Sequence, residues 1–225
     1  MKDSFYANYG KRWFDAVASL AGLVILLPIF LLIAIAIVLD DPGSPFFLQN
    51  RVGLREKVFR IIKFRTMRDA PEDSNSLITA RGDSRITRVG RILRRAKLDE
   101  LTQLFNVLRG DMSLVGPRPE VPKYTNHYSA EQRTVFDLRP GITGPAAIAY
   151  ANEEEVLSRQ ANPEQHYVEV LLPEKLAIDL RYCRNVSFSK DTTLIFGTFG
   201  RLLGRRASTA KRIPTPSSEG IHESF

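Results

Sequence analysis

The chain has 225 residues, with 32 lysines and arginines against 25 aspartates and glutamates, a net charge of +7 and a single cysteine. That length holds one domain with a sizeable core plus attachments, but not two comfortable domains, and the lone Cys183 excludes an internal disulfide. The positive surplus points to an anionic partner, whether nucleic acid, nucleotide or the acidic leaflet of a membrane, and charge alone does not choose among them.

Residues 1–12 are polar and place Lys2, Lys11 and Arg12 ahead of Trp13 and Phe14, a basic and aromatic mix suited to a membrane interface. From Ala16 to Leu39 there is no charge. As a helix this run would measure roughly 36 Å, enough to cross a bilayer core of about 30 Å. Its length, and the lack of a small-residue cleavage site before Asp40 and Asp41, argue against a signal peptide. Pro28 sits near the middle, where its missing N–H and its ring should kink or break the helix into halves of about 18 Å, each able to dip into one leaflet and return. Basic residues flank both ends, Lys11 and Arg12 before and Arg51, Arg55, Lys57 and Arg60 after. A re-entrant helix-break-helix keeps both basic ends on the cytoplasmic side, and a simple span keeps only one there.

Between Pro45 and Thr66 the segments FFLQN and KVFRIIKF flank a turn at Gly53–Glu56 and predict a small hairpin. Lys63 and Arg65 fall on one side of the second strand, which by the residues alone reads as a solvated basic edge. Residues 68–87 lack periodicity and predict a loop. The run from Arg88 to Pro119, RVGRILRRAKLDELTQLFNVLRGDMSLVGPRP, follows. Its apolar residues from Val89 to Leu108 fall near helical spacing, and Arg91, Arg94, Arg95 and Lys97 crowd the adjacent acids Asp99 and Glu100. Such cations hold carboxylates ionised and leave charge over for a phosphate-rich ligand. A helix starting with Asp99 as N-cap and stopping at Gly110 is expected. Asp99 and Glu100 could equally do no more than cap that helix and pair with Arg95 or Lys97. Beyond it, two prolines restrict the backbone around Arg118.

Residues 151–160 and 174–185 predict amphipathic helices after a Pro-Gly break at 139–144, the second burying Leu176, Leu180 and Tyr182. From Asp191 onward, DTTLIFGTFGRLLGRR suits a helix lying in the membrane interface or a packed terminal helix. The tail, 207–225, is rich in Ser, Thr, Pro and charge and predicts disorder. His127, His166 and His222 make no zinc-type spacing with each other or with Cys183, so a metal would be held by carboxylates and phosphate, which points to magnesium. The expected architecture is α+β, mostly helical with a small hairpin. It divides into a membrane segment over 1–41 broken at Pro28, a catalytic domain over 42–206 and the tail.

The order LDELTQLFNVLRGDMSLVGPRPE, with QNRVG at 49–53, KFRTM at 63–67 and RPGITG at 139–144, closely resembles the bacterial sugar transferase family, the small monotopic phosphoglycosyl transferases. The likeness runs from about Lys11 to Leu203. It implies transfer of a sugar 1-phosphate from a nucleoside diphosphate sugar, UDP the expected carrier, to polyprenyl (undecaprenyl) phosphate, releasing UMP. The setting implied is exopolysaccharide or other membrane-linked glycoconjugate synthesis. It further implies a re-entrant N-terminal helix in the bacterial inner membrane, with the catalytic domain on the cytoplasmic face. By resemblance, Asp99 is the nucleophile, Glu100 helps to hold Mg²⁺ with Asp99, and Lys63, Arg94, Arg118 and Asp191 meet phosphate or nucleotide. Two departures stand out: Leu27 where the family commonly has serine before the proline, and Thr102 where it often has proline. No nucleic acid partner is expected, and a homo-oligomer is left open. Two competing readings are a non-enzymatic, membrane-anchored basic module binding acidic lipid or nucleic acid, and a single-span scaffold.

Overall fold

The computed structural model describes residues 6–68 and 83–203. Most of the expected 68–87 loop and the whole of the expected disordered tail lie outside the described residues. Helix α1 (Lys11–Asp40) leads into a hairpin of β1 (Phe46–Val52) and β2 (Val58–Phe64). Helix α2 (Arg88–Ala96), a 3-10 segment (Leu98–Gln103) and α3 (Leu104–Arg109) come next. Then follow β3 (Ser113–Val115), α4 (Pro122–Thr125), β4 (Gly141–Thr143), α5 (Pro145–Ala149), α6 (Glu153–Leu157), α7 (Pro163–His166), α8 (Leu172–Cys183) and α9 (Phe188–Leu203). The chain is mostly helical with a small antiparallel sheet, as its periodicities predict.

The expected break at Pro28 is absent, for α1 runs as one helix through the proline. Proline's fixed φ suits a helix, and its missing N–H costs a single bond to the carbonyl four residues back. Packing on both sides offsets that loss. Leu23 before Pro28, and Phe30, Ile33 and Ile37 after it, are buried in one cluster with Phe64, Leu93 and Leu104. These residues form one stripe with Lys11, Asp15 and Ser19. The opposite face exposes Val17, Val24, Ile25, Leu31, Leu32, Ile35 and Leu39. It is the one helix among the described residues long and apolar enough to cross a membrane.

Both ends of α1 are tied to the same folded body. Near its start, the Arg12 guanidinium donates to the carbonyls of Val107 and Leu108 at 2.6 and 2.8 Å, and Asp15 accepts from the Leu114 N–H at 3.0 Å. At its end, Asp40 accepts from the Val89 N–H at 2.9 Å and Asp41 pairs with Arg65 at 3.5 Å. A carboxylate thus sits at the N-terminus of α2 and a guanidinium at the C-terminus of α3, each the sign the helix dipole favours.

The hairpin forms where the alternation places it, with Phe46 opposite Phe64, Phe47 opposite Lys63 and Val52 opposite Val58. Its turn needs left-handed backbone at Arg55 and Glu56, with φ of 54° and 60°. The free edge of β2 is closed by side chains. Thr102 Oγ1 donates to the Ile62 carbonyl at 2.9 Å, while Asn106 accepts from the Ile62 N–H at 3.0 Å and donates to the Arg60 carbonyl at 2.7 Å. Edge-strand polar groups left open would invite other pairing. Thr102 does here what proline could not. Leu176, Leu180 and Tyr182 of α8 are buried as expected, the two leucines with Tyr124, Tyr167 and Leu171 in a second core.

Candidate active site

The acid pair lies on the 3-10 segment, and its setting begins with Lys97. That residue has φ 55° and ends α2 by donating its N–H to the Arg94 carbonyl at 3.1 Å. Helical geometry resumes at Leu98, so Asp99 falls inside the turn and is not the expected N-cap. Nothing in the local sequence signals this, because a left-handed cap is usually glycine. Gly110, in contrast, stops α3 as expected, with φ 96° and its N–H on the carbonyls of Asn106 and Val107.

Asp99 is 8 % exposed, and among the described residues its buried Oδ1 has no hydrogen-bond partner. Burial, together with the charge of Glu100, raises its pKa against the opposing pull of Lys63, Lys97 and Arg94. Glu100 is treated differently. Lys63 Nζ donates to its Oε1 at 2.8 Å and Arg118 Nη2 approaches the same oxygen at 3.6 Å. Burial pushes Glu100 up, yet Lys63, Arg118 and Lys97 outweigh it and hold the carboxyl well below its usual range. Two neighbouring acids are thereby separated into one with an unpartnered oxygen and one firmly ionised.

Lys63 is therefore no solvated edge residue, and Arg65, beyond the strand end, serves Asp41 instead. Arg118 arrives on the turn after β3. Ser113 pairs with Gly141 and Val115 with Thr143 in a parallel bridge, and a Cβ on Gly116 would lie 2.4 Å from the Arg139 carbonyl. Asp179 of α8 accepts from the Arg118 N–H at 3.1 Å and the Ala146 N–H at 3.2 Å, its own pKa pushed up to about 6 by burial. The RPGITG segment and α8 together fix where Arg118 starts.

Of the other expected site residues, Arg94 lies close enough to act on Asp99, but its guanidinium pairs with Glu154 of α6. Asp191 is placed elsewhere and does not line this site. It is 1 % exposed, with Tyr182 on Oδ1 at 2.6 Å and Lys11 and Tyr6, the latter at 2.8 Å, on Oδ2. Its partners lie at the start of α1 and on α8, separations that local sequence does not report.

Behind Arg118 runs a network that residue-by-residue reading missed. Arg51 pairs with Glu120 at 3.3 Å and donates to the Pro119 carbonyl at 3.1 Å. Tyr167 donates to the second oxygen of Glu120, and Lys175 joins Tyr167 to Glu153 at 3.3 and 2.8 Å. Arg51 and Glu120 lie within QNRVG and GPRPE, so a signal was present in the quoted motifs. Tyr167 and Lys175 carried none.

The donor set also bears on magnesium. Among the described residues no three His, Cys, Asp or Glu side chains gather to enclose a cation. Mg²⁺ is commonly held by one or two carboxylates plus substrate phosphates. The Asp99–Glu100 pair, with an unpartnered oxygen on Asp99, fits that pattern.

Comparison with known proteins finds relatives over most of the chain. The UDP-glucose:undecaprenyl-phosphate glucose-1-phosphate transferase of Caulobacter vibrioides is 40% identical over 196 residues, covering 86% of this chain and 69% of that protein. The UDP-N-acetylgalactosamine-undecaprenyl-phosphate N-acetylgalactosaminephosphotransferase of Aeromonas hydrophila is 35% identical over 198 residues, 86% of this chain but 43% of that protein. The exopolysaccharide production protein PSS of Rhizobium leguminosarum bv. phaseoli is 37% identical over 203 residues, 84% of this chain and 92% of that protein. With the model of the bacterial sugar transferase matching residues 6–205, the whole α1-to-α9 body that carries the acid pair, the chain belongs to the bacterial sugar transferase family.

Proposed function

We propose that the protein transfers a sugar 1-phosphate from a UDP-sugar to undecaprenyl phosphate through a covalent intermediate on Asp99. The observation that carries this reading is the unequal acid pair: a buried Asp99 carboxylate oxygen with no partner among the described residues, beside a Glu100 whose Oε1 is paired with Lys63 and approached by Arg118. In the first step an Asp99 carboxylate oxygen bonds to the sugar-proximal phosphorus. The bond from that phosphorus to the bridging oxygen breaks, and UMP leaves with the electron pair. In the second step a phosphate oxygen of the acceptor attacks the aspartyl phosphorus, forming polyprenyl diphosphate sugar and restoring the carboxylate. Splitting the transfer in two is what a nucleophile contributes. Lys63 and Arg118 neutralise charge that builds on the phosphoryl oxygens. Mg²⁺ held by Asp99 and Glu100 would add charge neutralisation on the diphosphate. The relatives' names carry glucose in one case and N-acetylgalactosamine in another, so the sugar is a variable of the family's members.

The fold also supports a membrane position. A helix of roughly 45 Å, tied at both ends to one charged body, cannot place those ends on opposite sides of a bilayer core of about 30 Å without drawing the body in. Helix α1 therefore keeps both ends at one face, its exposed apolar side turned into the bilayer, and we assign that face to the cytoplasmic side of the inner membrane. Helix α9, with Phe188, Phe196 and Phe199 exposed, lies in the interface beside it.

The test uses purified protein in lipid with Mg²⁺ and UDP-sugars labelled at the phosphorus next to the sugar, without acceptor. Label should bind wild type and not Asp99→Asn, and should chase into lipid when undecaprenyl phosphate is added. Normal lipid product from Asp99→Asn would sink the covalent mechanism.

A further inference from the structure

Three consecutive large apolar residues at the start of β1 are exposed: Phe46, Phe47 and Leu48, with Phe47 at 46%. Directly opposed residues of an antiparallel pair project from the same face, so Phe47 shares a face with Lys63, Gln49, Ile61, Arg51 and Phe59. That is the inward face, on which Ile61 is buried with Val107 and Met112. Phe47 alone among those residues is exposed, and it stands opposite the lysine that holds Glu100. Phe46, on the outward face, stacks on Phe64 with ring centroids 5.7 Å apart, and Phe64 meets Phe30 of α1 at 5.6 Å. Phe46, Phe47 and Leu48 thus make an exposed apolar mouth on the hairpin, and its one inward-face member stands across from the cation beside the acid pair.

We propose that Phe47 is the subsite for the first isoprene units of the acceptor, on which the hydrocarbon chain rests while its phosphate lies at Lys63. This deepens the reading of the site as a polyprenyl-phosphate transferase and rests on it. The acceptor joins a doubly charged head to a chain that water rejects, so an exposed phenyl ring directly across the strand pair from Lys63 favours this ligand over a water-borne phosphate. The exposed residues Phe46 and Leu48 supply the entry, and the register of Phe47 with Lys63 supplies the end point. Leu48, on the outward face, belongs to the approach and not to the subsite.

The experiment compares wild type, Phe47→Ser and Phe47→Leu in detergent without a bilayer. Farnesyl phosphate, a short acceptor, and undecaprenyl phosphate are assayed in parallel, and labelling of Asp99 by the donor alone reports an intact site. Phe47→Ser should raise KM for both acceptors about tenfold, the worth of one lost apolar contact of about 1.4 kcal/mol, at an unaltered labelling rate. Phe47→Leu should restore most of it. An unchanged KM for farnesyl phosphate, with weaker binding of Phe47→Ser to phosphatidylglycerol vesicles, would make Phe47 a bilayer contact and overturn the proposal. Labelling slowed as much as transfer would overturn it too, by making Phe47 a support of the site's fold. Absence of label on wild type with every UDP-sugar would remove the reading of the site and this inference with it.

Discussion

Two buried carboxylates, Asp99 and Asp191, sit in this molecule under opposite terms. Both oxygens of Asp191 are engaged, by Tyr182 on one and by Lys11 and Tyr6 on the other, and the cluster ties the start of α1 to α8 and α9. Among the described residues, Asp99 keeps a buried oxygen without a partner, although cations stand close by. A satisfied buried acid is a fastening, whereas an unsatisfied one is a cost the fold carries for some other end. The contrast distinguishes two acids that look alike in the sequence.

The sharpest way to break that contrast is to neutralise Asp99. Asp99→Asn should lower transfer by ~10⁴-fold or more, the scale on which nucleophiles are missed, without lowering stability. The sign follows from its raised pKa. A carboxyl whose folded pKa exceeds the ordinary 3.8 adds stability below that pH and loses it as pH rises through the folded value. Thermal melts of Asp99→Asn at neutral pH should therefore match or exceed wild type, with the difference narrowing toward pH 4. Melting well below wild type would make Asp99 a fastening as well.

Asp191→Ala is the mirror experiment. It leaves Lys11 buried without its partner, a change that costs about 3–5 kcal/mol, read as a large fall in denaturation midpoint in detergent. A stable Asp191→Ala that labels poorly would return Asp191 to the site. Lys63→Met acts between these extremes, with transfer expected to fall about 10²–10³-fold, as when one charge-stabilising donor is lost. Without Lys63, burial should lift Glu100 from its depressed range, so the acid limb of the kcat/KM profile moves to higher pH. An unmoved limb would mean that Arg118 and Lys97 suffice. Asp179→Asn is the mildest. It removes one of two backbone hydrogen bonds near Arg118, for about 1–2 kcal/mol, and should raise donor KM more than it changes kcat. Wild type loses the stabilising share of protonated Asp179 as pH climbs from 3.8 through about 6, and Asn should flatten that slope in pH-dependent melts.

Much of this was legible from local pattern. The hairpin followed from alternation around Gly53, α8 from its apolar spacing, and the stop of α3 from Gly110. The convergence of Lys63, Glu100 and Arg118 was carried by the long motif, since nothing in their spacing joins three segments. Other features were closed to sequence for physical reasons. Pro28 predicts a break by propensity, but burial of Leu23 and Phe30 on either side overrides it. Lys97 adopts a glycine-like conformation with no glycine to announce it. Asp191 finds Lys11 across 180 positions, a pairing that only the fold makes.

Arg12 and Asp40 grip opposite ends of the stretch 88–109 that holds the acid pair. An ordinary membrane helix may gain or lose a turn as bilayer thickness drifts between membranes, at a cost of fractions of a kcal/mol per Å. Helix α1 has no such freedom, because its number of turns is gauged against the distance between two protein contacts and not against lipid. Its outer side chains are free to vary, while its length is fixed by the segment that carries the acid pair.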